Sequence, residues 1–144
     1  MATTETRINT ETVLTVENLR THFTTRWGTV KAVDGISFDL RRGETLGIVG
    51  ESGCGKSVTM LSLMRLIPIP PGRIVSGSIV LDGEDIVQIS EQEMAQIRGS
   101  KIALIIQDPM TSLNPVFTIG NQVEEAITIH QDIPKRSVME KALE

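Results

Sequence analysis

The chain has 144 residues and a net charge of −4, with 40% hydrophobic and 22% charged residues, which suits one modest domain with one core. The acidic balance offers no footprint for nucleic acid, and three Phe, one Trp and no Tyr leave little to stack on bases. A single Cys excludes an internal disulfide and fits a reducing compartment, residues 1–12 are too polar for a secretory signal, and the longest apolar runs fall far short of a membrane span, so a membrane role needs a partner.

In chain order, residues 1–12, rich in Thr and Glu, read as a frayed N-terminus. Residues 13–19 alternate enough for a strand; 20–29, carrying Phe23, Trp27 and Gly28 among polar residues, read as its end and a loop. Residues 30–33 and 36–40 read as strand pieces broken at Asp34-Gly35, with a turn at 41–44. Thr45-Leu46-Gly47-Ile48-Val49 is short, apolar and β-prone, and reads as a buried strand.

Directly after it comes Gly50-Glu51-Ser52-Gly53-Cys54-Gly55-Lys56-Ser57, which fits the Walker A pattern of a phosphate-binding loop. Residues 58–67 are nearly unbroken apolar sequence and read as a buried helix stopped by Pro68, Pro70 and Pro71, so the motif sits in the strand–loop–helix context it requires. Glycines there let the backbone turn tightly and approach a phosphate, and consecutive N–H groups at a helix start form an anion nest. Lys56 is expected to reach the β- and γ-phosphates, and the Ser57 hydroxyl to ligate Mg²⁺.

Further on, residues 74–81 read as a strand with a hairpin turn at Asp82-Gly83. Ser90 with Glu93 forms a capping box for a short helix to about Arg98. Residues 101–107 read as another buried strand, 108–118 as a loop, and 119–129 as a helix from the spacing of Ile119, Val123, Ala126 and Ile127. Pro134 suits the first turn of a last helix still running at Glu144.

A P-loop NTPase needs an acidic residue after an apolar strand to hold Mg²⁺ or its water. Asp82 follows such a strand but precedes Gly83, which favours a turn; Asp108 is the other candidate. His22 and His130 match no metal spacing and read as surface residues.

The run from Gly43 to Ser57, followed by Ile106-Gln107-Asp108-Pro109-Met110-Thr111-Ser112-Leu113-Asn114-Pro115, resembles the nucleotide-binding subunit of an ABC transporter, and more narrowly the oligopeptide/dipeptide/nickel importer branch. The resemblance covers the chain from about Leu14 onward, and the stretch after Gln107 carries the branch. It implies an α/β fold: a P-loop NTPase core with an N-terminal antiparallel β subdomain and the start of a helical subdomain. The implied boundaries are 1–12 disordered, 13–107 core and antiparallel β subdomain, and 108–144 Q-loop and incomplete helical subdomain.

The same resemblance assigns roles. Gly50, Gly53, Gly55, Lys56 and Ser57 match the Walker A loop, in which Ser52 and Cys54 donate backbone N–H groups. Gln107 matches the Q-loop glutamine that senses Mg²⁺ and the γ-phosphate. Phe23 matches the aromatic that stacks on adenine, with Trp27 a rival because residues 24–28 blur the register. ATP and Mg²⁺ are the implied ligands. Implied partners are membrane-spanning permease subunits and a second nucleotide-binding subunit, identical or different, with neither nucleic acid nor direct membrane insertion. The implied location is peripheral, on the cytoplasmic face of the membrane.

The family's Leu-Ser-Gly-Gly-Gln signature, Walker B Asp-Glu and switch histidine are absent from these residues, so the chain is expected to be the N-terminal part of a longer subunit, truncated, inactive in hydrolysis alone and prone to aggregate where strands of a parallel sheet lack neighbours. Peptide is the expected cargo, with nickel or another small solute left open. The alternatives are an ATP-binding-only or inert fragment, and another P-loop enzyme such as a small-molecule kinase using Asp108.

Overall fold

Two long strands, β1 (Thr12–Thr25) and β2 (Gly28–Arg41), form an antiparallel hairpin around which the N-terminal unit is built. In this computed structural model, residues 12–107, 113–131 and 133–143 are described; of the segment 1–12 expected to be frayed, Thr12 opens β1 and the rest lies outside them, as does the candidate carboxylate Asp108. β3 (Gly72–Leu81) pairs antiparallel with the other edge of β1, and the short β4 (Glu84–Asp85) pairs with β3, so the sheet order is β2-β1-β3-β4. Of 20–29, expected as strand end and loop, residues 20–25 are all strand: Thr21, His22 and Phe23 pair with β2 on one side and β3 on the other, a long-range arrangement that their polar neighbours conceal.

Irregularities in this sheet explain its pattern. Leu19 pairs with Ile36 and Arg20 with Asp34, which leaves Gly35 as an extra residue at φ +86°. The apparent break at Asp34-Gly35 is thus a bulge inside one continuous strand. In β1, Val16 pairs with Phe38 and Leu19 with Ile36, so the strand carries one residue too many, with Asn18 at φ 47°. A single extra residue exchanges the two faces. Buried positions accordingly switch from Leu14 and Val16 to Leu19 and Thr21, all on the core side. Ile79, Leu81, Val33 and Ile86 complete that core.

The β3–β4 turn is the expected one: Asp82 at φ 47° and Gly83 at φ +87° link Leu81 to its partner Glu84 in a two-residue hairpin. α1 (Lys56–Leu63) follows the glycine loop but is shorter than the apolar run. Arg65 takes φ 51°, its N–H bonds Ser62 O at 3.0 Å, and the N–H of Leu66 bonds Leu61 O at 2.8 Å. This is a Schellman stop made without glycine, and it ends the helix before the prolines do. The Arg65 guanidinium also donates to Ile86 O at 3.2 Å and Ile89 O at 2.8 Å.

Neither expected buried strand beside the motifs is formed. Among the described residues, 45–49 have no ladder partner, and Leu46, Ile48 and Val49 are exposed. Likewise 103–106 are unpaired, and Ile105 and Ile106 are exposed. A fully apolar strand is stable only when flanked on both edges and covered on both faces, and the described residues supply no such neighbours.

The chain divides after Ser90 into two compact units. In the second, α2 (Glu91–Ile97) starts directly after Ser90 and carries an Arg98–Glu91 ion pair. α3 (Ile119–His130) is capped by Thr118, whose hydroxyl accepts from Asn121 N at 3.2 Å. α4 (Lys135–Ala142) begins after Pro134 and stops with Leu143, earlier than expected. Met94, Ile97 and Val138 are buried. Among the described residues no helix is long and apolar enough to cross a membrane.

Candidate functional site

The first turn of α1 and the loop before it form a phosphate-sized hollow. Gly55 precedes the helix at φ 94°, ψ 2°, and the Thr59 N–H and hydroxyl both donate to Gly55 O, at 2.8 and 3.0 Å. That tethers the loop to the second turn of the helix. The N–H groups of Gly53, Gly55, Lys56 and Ser57 make no backbone hydrogen bond to another described residue. At a helix start such donors seek an anion or water. They open on a cavity of about 490 Å³ lined by Ala32, Ser52, Gly53, Gly55, Lys56, Ser57 and Val58.

Lys56 folds back over the loop. Its Nζ donates to Gly50 O and Glu51 O, each at 2.7 Å, and lies 3.5 Å from Cys54 Sγ. The loop is therefore closed around its own cation. Two glycines sit in close contacts, but only Gly55 faces backbone that cannot give way. A Cβ on Gly55 would lie 2.2 Å from Ala32 O, and one on Gly50 would lie 2.7 Å from Cys54 Sγ. Gly55 thus rests on the backbone of β2, at the residue left unpaired where Thr21 faces Val33 and His22 faces Lys31. Nothing in spacing or composition points to Ala32; it is found only through the bulge.

Of the expected site residues, Gly50, Ser52, Gly53, Cys54, Gly55, Lys56 and Ser57 come together here. Phe23 does not line this cavity: it is half-buried in β1, with its ring against Gly72, where a Cβ would come within 2.7 Å of Phe23 Cε1. Trp27, 82% exposed at the hairpin tip, lies under the Arg26 guanidinium, 3.9 Å from its ring centroid. Gln107 is exposed and belongs to the second unit. His22, expected at the surface, is only part-exposed: its Nε2 is buried without a hydrogen bond, 4.0 Å from Asp34 Oδ1, while Arg20 and Lys31 hold the same carboxylate at 3.4 and 3.5 Å. His130 packs over Gly99, within the second unit. Among the described residues no group of His, Cys, Asp and Glu could hold a metal by itself; a cation at this loop would depend on Ser57 and on phosphate oxygens.

Comparison with known proteins agrees with this geometry. The family model for the ABC transporter matches residues 33–144. The dipeptide transport ATP-binding protein DppD of Bacillus subtilis is 49% identical over 133 residues, 92% of this chain and 40% of that protein. The probable peptide ABC transporter ATP-binding protein y4tR of Sinorhizobium fredii is 47% identical over 132 residues, 92% of this chain and 39% of that one. The chain thus spans about 40% of the length of these relatives. Among solved structures, the ATP-binding cassette MJ0796 bound to ADP and Pi, in a dimeric post-hydrolysis state, aligns with a TM-score of 0.77 at 20% identity, over 90% of this chain and 54% of that one, which is a likeness of fold. A small-molecule kinase built on Asp108 gives way to this assignment. By its glycine loop seated on an antiparallel sheet, and by the family match over residues 33–144, the chain belongs to the ABC transporter family.

Proposed function

We propose that this chain is the nucleotide-binding portion of an importer's ATPase subunit, and that it binds the triphosphate of ATP in the loop from Gly50 to Ser57. The single observation behind this is that Gly53, Gly55, Lys56 and Ser57, whose N–H groups are bonded to no other described backbone group, together line one cavity at the start of α1. On binding, Lys56 exchanges the carbonyls of Gly50 and Glu51 for phosphate oxygens. Ser57, exposed on the same cavity, is the protein ligand for Mg²⁺, which supplies charge neutralisation at the β- and γ-phosphates. The fit rests on the glycine hollow, where a Cβ at Gly55 would collide with the Ala32 carbonyl.

Gln107 is assigned to sensing Mg²⁺ and the γ-phosphate, and Phe23 to adenine. Hydrolysis is assigned to the assembled protein, in which two such subunits complete each other's sites and drive permease subunits at the cytoplasmic membrane face. Peptide is the cargo that the names of the relatives favour. Calorimetric titration with MgATP tests the core of this reading. Saturable binding that falls by at least about 100-fold in Lys56→Ala is expected, given that charge-assisted hydrogen bonds contribute roughly 1.5–3 kcal/mol each. Equal affinity in the two proteins would reject it.

A further inference from the structure

The face of α1 turned to the sheet is unusually polar for a buried helix. Thr59 and Ser62 are buried there, and Ser62 is fully so. Across from it, Thr21 of β1 is also fully buried, and the two hydroxyl oxygens lie 2.8 Å apart. Ser62 Oγ lies 2.7 Å from Val58 O as well. A carbonyl can only accept, so the one Ser62 proton goes to Val58, and Thr21 must be the donor to Ser62. The result is a directed chain: Thr21 hydroxyl to Ser62 hydroxyl to the Val58 carbonyl. It starts on the central strand of the sheet and ends in the first turn of the helix, whose N–H groups open on the cavity.

Apolar contacts between a helix and a sheet leave rotation about the helix axis cheap, whereas hydrogen bonds are directional. From this we infer that Thr21 and Ser62 are positioning residues for the phosphate loop. Their hydroxyl pair fixes the rotation of α1 on β1, and so aims the amides of Lys56, Ser57 and Val58. The close approach of Gly55 to Ala32 O fixes the height of the same turn, and the hydroxyl pair fixes its azimuth. The inference rests on the nucleotide reading for its functional consequence, but not for its structural one.

The test is a double-mutant cycle, Thr21→Val and Ser62→Ala, read in two ways in the full chain. The mobility of the Lys56, Ser57 and Val58 amides is measured without ligand as 15N relaxation order parameters, and MgATP affinity by titration, with Thr21→Ser as the conservative control. Lowered order parameters confined to those amides are expected, with a 3- to 10-fold loss of affinity in each single variant, little further loss in the double, and near-native behaviour in Thr21→Ser. A lowered melting temperature with order parameters at 56–58 and affinity both unchanged would overturn the inference and leave the pair merely structural. If the unsubstituted chain fails to bind MgATP, the nucleotide reading falls; the relaxation arm still decides the positioning role, for which unchanged order parameters are refutation.

Discussion

Three glycines of one loop are expected to respond very differently to the same added methyl group, and the ranking follows from geometry. In Gly55→Ala the new carbon would sit 2.2 Å from Ala32 O, and the backbone stays at φ +94°. The left-handed conformation costs roughly 1–2 kcal/mol for an L-residue. The clash requires either β2 or the loop to retreat by roughly 1 Å, since non-bonded carbon contacts settle near 3.5 Å. Displacement of an interior backbone segment on that scale adds about 1–3 kcal/mol. Gly53→Ala keeps a strained φ of +82° but meets nothing within 4 Å, so only the conformational cost remains. Part of that cost is returned, because Ala restricts the unfolded chain by about 0.4–1 kcal/mol. Gly50→Ala has no positive φ and meets only Cys54 Sγ, at 2.7 Å, the end of a side chain that can rotate away. The expected losses of stability are therefore about 3 kcal/mol for Gly55, about 1 for Gly53 and near zero for Gly50. In melting temperature this means about 10 °C for Gly55→Ala, at roughly 3–5 °C per kcal/mol for a chain of this size. MgATP affinity should fall by about 100-fold in Gly55→Ala, the loss expected when one or two charge-assisted hydrogen bonds at roughly 1.5–3 kcal/mol each are misaimed. Thermal melting and MgATP titration of the three variants decide it. Equal effects of Gly55→Ala and Gly53→Ala in both assays would show that the Ala32 carbonyl does not back the loop.

Other consequences are more local. Gly50→Ala should become fully neutral in a Cys54→Ala background, because the atom it meets is gone; a cycle in melting temperature checks this. In α3, Gln122 Nε2 donates to Asn114 O at 3.0 Å and Phe117 O at 3.1 Å, and its Oε1 accepts from Asn114 N at 2.8 Å. Gln122→Ala is expected to speed amide exchange at Asn114 several-fold, with little change in the global melt, because the affected groups are exposed. Arg65→Gly relieves the left-handed φ of 51° but removes the guanidinium bonds to Ile86 O and Ile89 O, so it should be less destabilising than Arg65→Ala by about 1 kcal/mol, measured by denaturant unfolding.

What could be read from the sequence was local. Asp82-Gly83 demands positive φ twice and takes it, the apolar spacing over 119–129 becomes α3, and Gly50 to Ser57 forms the loop its glycines encode. What escaped depended on residues far apart in the chain. Residues 20–25 look like loop because their side chains are polar, yet their backbone pairs on both sides with β2 and β3. The end of α1 escaped because Arg65 adopts a conformation that glycine or asparagine usually marks. Ala32 and the Thr21–Ser62 pair carry no signal in spacing or composition at all, since their importance comes from a bulge and from a contact 41 residues apart.

The segment 45–49 isolates what the phosphate loop needs. The motif is expected to follow a buried strand, and here that stretch is unpaired, with Val49 93% exposed and a cavity of about 290 Å³ left between Leu46, Ile48, Val49 and the β2 side chains Ile36 and Phe38. Downstream of it the loop still closes: Lys56 reaches Gly50 O and Glu51 O, and Thr59 holds Gly55 O. The loop is therefore shaped by its own glycines and by the two attachments of α1 to the antiparallel sheet, at Ala32 and at Thr21. Ladder hydrogen bonds to 45–49 are not what bends it. Burial of Leu46, Ile48 and Val49 would contribute roughly 1.5–3 kcal/mol per side chain, which bears on how firmly the unit is held together; the aim of the amides at 53–57 is set from the other side, by β1 and β2.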